Sequence, residues 1–111
     1  MRRVTIGSAE IELDDEGYLT DLAQWTPELA VYLASEEKIQ LTEAHWEIIS
    51  VIRDFYTSYQ LSPAMRPLVK AVALEHGPDK GKSAYLMKLF PESPAKQAAK
   101  LAGLPKPTNC L

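Results

Sequence analysis

The sequence predicts a mainly α, α+β fold: a compact helical domain of about five helices, with a small N-terminal β-hairpin and a mobile C-terminal arm. Three observations carry this. Apolar residues recur at spacings of three and four through much of residues 29–102, whereas period-two alternation is confined to residues 3–13. Prolines and glycines punctuate the helical stretches. Finally, Gly103-Leu104-Pro105-Lys106-Pro107 blocks both helix and ladder pairing near the end of the chain. The 111 residues suit a single domain over 1–111, with the extended arm occupying 103–111.

Each element has a local cause. Val4 and Ile6, then Ile11 and Leu13, alternate with polar residues around a Gly7-Ser8 turn, which predicts two short strands. Such a hairpin is marginal alone and must lie on the helical body. Thr26-Pro27-Glu28 starts a helix with a hydroxyl cap, a proline in the first turn and an acid near the positive helix end. Trp25 precedes it as a candidate hydrophobic staple, and the helix fades near Glu37-Lys38. Thr42 opens the strongest helix, running to about Tyr59. His45, Ile48, Ile49, Ile52, Phe55, Tyr56 and Tyr59 form its stripe, which predicts the central core helix. His45 in its first turn reads as a partly buried, hydrogen-bonded imidazole.

Ser62-Pro63 begins a third helix with Met65, Leu68, Val69, Val72 and Ala73 inward. Pro67 requires either an irregular first turn or a regular start nearer Arg66. Lys82–Phe90 forms a fourth helix, stopped by Pro91. Ser93-Pro94 caps a fifth over Ala95–Ala102, ended by Gly103.

Composition excludes several function classes. No apolar run approaches a membrane span, and no signal-peptide core follows Met1-Arg2-Arg3, so a cytoplasmic protein without membrane contact is expected. The chain has one cysteine and two distant histidines, so neither an internal disulfide nor a metal site is expected. Neither phosphate-binding glycine signature occurs, and no cofactor is implied. Charge is uneven. Residues 1–55 carry 4 Lys/Arg against 12 Asp/Glu, a net of −8; residues 56–111 carry 8 against 3, a net of +5. Two readings stand: an anionic partner near the arm, or solvated helix faces that differ in sign.

The candidate chemistry is the thiol of Cys110. A free thiol with a pKa of roughly 8.5 is only slightly ionised at neutral pH, which makes it a mediocre nucleophile alone. Its use would be to be loaded and unloaded inside a partner's site. The seven residues from Gly103 to Cys110 reach roughly 20 Å at about 3.1 Å each, enough for a swinging arm. The competing reading is an incidental terminal cysteine.

Several stretches bear on that choice. Asp15-Glu16-Gly17-Tyr18-Leu19, His45-Trp46-Glu47, Arg53-Asp54-Phe55-Tyr56, Ser62-Pro63-Ala64 with Arg66 and Leu68-Val69-Lys70, and Leu89-Phe90-Pro91 resemble the DsrC/TusE family of sulfur-relay proteins. The run from Pro94 through Pro107 to Cys110 is the most specific part of the resemblance. It implies a mainly helical fold with an N-terminal hairpin and a mobile arm. It also implies a sulfurtransferase whose penultimate cysteine, here Cys110, carries a persulfide. DsrC proteins, which work with dissimilatory sulfite reductase, hold a second cysteine eleven residues upstream. That position is Ala99 here, so no internal thiol can resolve a persulfide, as in TusE-like carriers. The implied partners are an upstream TusBCD-like donor complex and an MnmA-like tRNA-thiolating enzyme, with indirect tRNA contact. Lys106, Lys100, Lys96, Arg66 and Lys70 are the docking candidates. Two alternatives stay open: a DsrC-like partner of dissimilatory sulfur metabolism, and a regulatory or DNA-binding module built on the Thr42 and Ser62 helices.

Overall fold

The computed structural model describes residues 1–108. Strands β1 (Arg2–Ile6) and β2 (Ala9–Leu13) pair antiparallel, with Val4 opposite Ile11 and Arg2 opposite Leu13. Gly7 turns the hairpin at φ 62°. Ile11 and Leu13 are buried against the body, so the alternation read from the sequence sets which face packs. A 3₁₀ turn over Leu22–Gln24, absent from the sequence reading, follows. Asp21 caps it by accepting the Ala23 N–H.

Five helices complete the described residues: α1 (Pro27–Glu36), α2 (Glu43–Tyr59), α3 (Met65–His76), α4 (Ser83–Leu89) and α5 (Pro94–Leu101). Thr26 caps α1 by accepting the Leu29 N–H. Pro67 is the third residue of α3, where a backbone N–H has no intrahelical acceptor. The helix therefore starts regularly at Met65, and the proline removes no bond.

His45 sits in the first turn of α2 and is buried. Its Nε2 lies 2.9 Å from the Leu89 carbonyl, which can only accept. Its Nδ1 receives the Thr42 N–H at 3.1 Å. Those partners require the neutral Nε2–H tautomer and make His45 a clamp between α2 and the end of α4.

Two expectations change. The α2 stripe ends early: Phe55 is half-buried and Tyr59 is exposed, while Tyr56 still packs partly buried against the core. Nor is α2 the central helix. That place belongs to α5, which packs against α1, α2, α3 and α4. Pro94, Ala95, Gln97, Ala98, Ala99 and Leu101 are all buried. Small side chains let four neighbours approach one short helix, and they form too little apolar bulk to mark it as the centre of a core.

Candidate functional site

Cys110 lies outside the described residues, and the site is built from the segment leading to it. Gly103 ends α5 at φ 73°. The Gly103 N–H bonds to the Lys100 carbonyl at 3.1 Å, and the Leu104 N–H to the Ala99 carbonyl at 2.9 Å. This is a Schellman turn, and it requires the left-handed residue that glycine supplies. Glycine is required here twice over. A Cβ at Gly103 would sit 2.4 Å from Trp25 Cδ1, so the backbone crosses directly on the indole.

Trp25 does more than precede α1. Its indole N–H donates to the Leu101 carbonyl at 2.8 Å. Arg53 of α2 donates to the Ala102 carbonyl at 2.6 Å, while its guanidinium carbon stands 3.9 Å from the Trp25 ring centroid. Two carbonyls left open at the end of α5 are thus satisfied by side chains from two other elements. Burial pushes the Arg53 pKa down, and neighbouring Asp54 partly opposes this.

Beyond the turn, residues 104–107 are in neither helix nor strand and are held to the body. Leu104 and Pro107 are buried. The Ser62 hydroxyl donates to the Pro105 carbonyl at 2.6 Å, and Lys106 Nζ lies 2.7 Å from Glu16. From buried Pro107 to Cys110 is three residues, a reach of roughly 10 Å. The roughly 20 Å sweep expected from Gly103 therefore requires these contacts to open first.

The five basic candidates separate into two groups. Lys96, Lys100 and Lys106 line one cleft of about 180 Å³ with Glu16, Glu37 and Glu92. There Lys100 Nζ is 3.7 Å from Glu37 and 5.3 Å from the Tyr18 ring centroid. Gln97 also donates to Glu37, at 3.1 Å. Two acidic residues of the N-terminal half, Glu16 and Glu37, thus pair with two basic residues of the C-terminal half at this cleft. Arg66 and Lys70 are elsewhere, exposed one turn apart on α3, and form no ion pair among the described residues. The same outer face carries Leu74, 84% exposed, and the exposed Glu75. A helix reading a DNA groove needs several exposed polar readers, and this face offers two cations beside an exposed leucine and an acid that repels phosphate.

Sequence reasoning missed Trp25 and Arg53 as partners of the arm. Each contact spans many tens of residues, and no local spacing announces it. Among the described residues no helix is long and apolar enough to cross a membrane.

Comparison with known proteins places this geometry. The family model described as "DsrC like protein" matches residues 5–111. A Haemophilus influenzae protein named "Sulfurtransferase TusE homolog" is 56% identical over 108 residues, 97% of this chain and 99% of that one. The Escherichia coli "Sulfurtransferase TusE" is 54% identical over 102 residues, covering 92% and 94%. The solution structure of Allochromatium vinosum DsrC superposes with a TM-score of 0.90 at 46% identity, covering 98% of this chain and 97% of that one.

Proposed function

The chain belongs to the DsrC-like family, and from that premise we propose that Cys110 is the atom on which it carries sulfur. The protein is a sulfurtransferase that works as a carrier within a relay. The Cys110 thiolate attacks the outer sulfur of a donor persulfide. A new S–S bond forms as the donor's S–S bond breaks, and the donor leaves as its thiolate. The transferred sulfur keeps its oxidation state, so no external oxidant enters. The reverse step, with an acceptor thiolate attacking the outer sulfur on Cys110, unloads the carrier.

The observation that supports a carrier most directly is Ala99. It is fully buried in α5 and offers no thiol to attack sulfur held on Cys110. A loaded Cys110 therefore keeps its sulfur until an outside acceptor arrives. The donor is a TusBCD-like complex and the acceptor an MnmA-like enzyme, which directs the sulfur to 2-thiolation of the tRNA wobble uridine in the cytoplasm. Arg66 and Lys70 are the docking candidates whose charge faces solvent without an ion pair. Lys96, Lys100 and Lys106 act from the cleft beside the arm.

Intact mass after incubation with a persulfide-loaded donor tests the reading. One added sulfur is expected on the wild-type chain and none on Cys110→Ser. A serine variant that still gains sulfur would sink it. The likeness to Allochromatium vinosum DsrC supports a second reading, in which the same thiol serves dissimilatory sulfur metabolism. Transfer from loaded protein to a sulfite-reductase partner, in preference to a tRNA-thiolating enzyme, would select that second reading.

A further inference from the structure

We propose that the groove between Trp25 and Trp46 is where a relay partner docks, through a protein segment presenting a large apolar side chain beside a carboxylate. The inference rests on the carrier reading for the partner's role, but its evidence is independent of Cys110. Both tryptophans of the chain are half-buried and line this groove with Pro27, Ile49 and Arg53. Its volume of about 410 Å³ is enough for a large side chain and its flanks. Tryptophan and arginine around a small depression are the residue types that carry most binding energy in protein interfaces.

The carboxylate follows from Arg53. One of its N–H groups is used on the Ala102 carbonyl, and no carboxylate forms an ion pair with it among the described residues. Neighbouring Asp54 influences it only at longer range. A half-buried guanidinium with donors to spare is completed by an incoming carboxylate, and an apolar side chain alone would bury it further at a cost.

Position supplies the functional link. The residues that form the groove wall also hold the end of α5: Trp25 bonds Leu101 and lies under Gly103, and Arg53 bonds Ala102. A segment seated there touches the two side chains that hold the root of the arm, and seven residues beyond Gly103 comes Cys110, within roughly 20 Å once the arm is extended. A nucleobase suits the groove less well. Arg53 already covers the Trp25 ring, which closes that face to a stacking base.

The two tryptophans provide the test. The full chain is labelled with 5-fluorotryptophan, giving two ¹⁹F resonances, and titrated with the unlabelled upstream donor complex. The Trp46 resonance should shift or broaden on donor addition, in wild type and in Cys110→Ser alike. Ser50→Glu, exposed on α2 and one turn before Arg53, supplies an internal carboxylate to the guanidinium and should weaken donor binding about tenfold. Ser50→Gln, of similar size, should bind within about threefold of wild type. An equal loss in both variants overturns the carboxylate requirement. Donor binding seen by sedimentation with neither resonance moving overturns the groove. So does a Trp46 shift elicited by tRNA, or by raising the concentration of the chain itself, but not by the donor. If the resonance moves but mass shows no sulfur on Cys110, the groove stands and the carrier reading falls.

Discussion

Helices α2 and α5 meet side by side and are built on opposite principles. Seventeen-residue α2 is long and amphipathic, with a buried stripe on one side and tryptophan, arginine and acids on the other. Eight-residue α5 has three alanines and a single leucine, and six of its residues are buried. The long helix tolerates solvent on much of its circumference and on its last three residues, Thr57 to Tyr59. The short one is enclosed by four others, and the arm leaves directly from its end. A helix placed at the centre of a core cannot shift when the arm is pulled, so the origin of the arm is fixed by packing. The contrast teaches that the rigid mount of this carrier is a helix of only eight residues.

The contrast can be broken most severely at the mount. Gly103→Ala introduces a Cβ into the Trp25 ring and a side chain at a left-handed residue. A loss of roughly 2–4 kcal/mol is expected from strain and overpacking together, read as the shift in urea midpoint. Enlarging α5 itself with Ala98→Leu should cost about 1–3 kcal/mol in the same assay, since Ala98 is fully enclosed. The exposed end of α2 should behave differently: Tyr59→Ala is expected within roughly 0.5–1 kcal/mol of wild type. Equal costs at Ala98 and Tyr59 would erase the distinction.

Chemistry sharpens it further. Ala99→Cys places a thiol at the position where DsrC proteins hold their second cysteine. The introduced thiolate would attack the inner sulfur of a Cys110 persulfide, close a disulfide and release hydrosulfide. Loaded protein should then shed its sulfur without an acceptor, seen as loss of the added mass and release of sulfide. Retention of the sulfur would mean that the two positions do not meet.

The smallest expected effect lies at the far side of α2. Lys80, hydrogen-bonded to Glu47 at 2.8 Å, holds the Glu47 carboxyl below its ordinary pKa, with nearby His76 adding to the effect. A carboxyl whose folded pKa is depressed adds stability above its unfolded pKa. That contribution disappears as pH falls through the folded value. Wild type should therefore lose slightly more stability than Glu47→Gln on acidification from neutral pH into and below the carboxylate range. Parallel pH profiles would show that the pair contributes nothing measurable, as exposed ion pairs often do.

Several features were readable because their causes are local. Thr42 and His45 lie within one turn, so the start of α2 was evident. Gly103 marked the end of α5, and Pro67 marked an early position in α3 even though its tolerance became clear only from its register. The ion pairs of the candidate docking lysines were not readable in the same way. Lys106 finds Glu16 ninety residues away, and Lys100 finds Glu37 across the α1–α5 contact. Nothing near either lysine in the chain announces a neutralising partner.

By itself, the sequence determined the element types, placed the chain's one cysteine at position 110 and, with Ala99, left no second thiol to meet it. These depend on residue identity and short-range spacing. Only the tertiary structure decided that α5 is the central helix, that residues 103–107 are held to the body, and that Trp25 and Arg53 grip the arm's root beside an open groove. Those facts depend on which distant residues meet. Carbonyls at a helix end, an indole N–H and a guanidinium have many eligible partners, and the packing of the core selects among them.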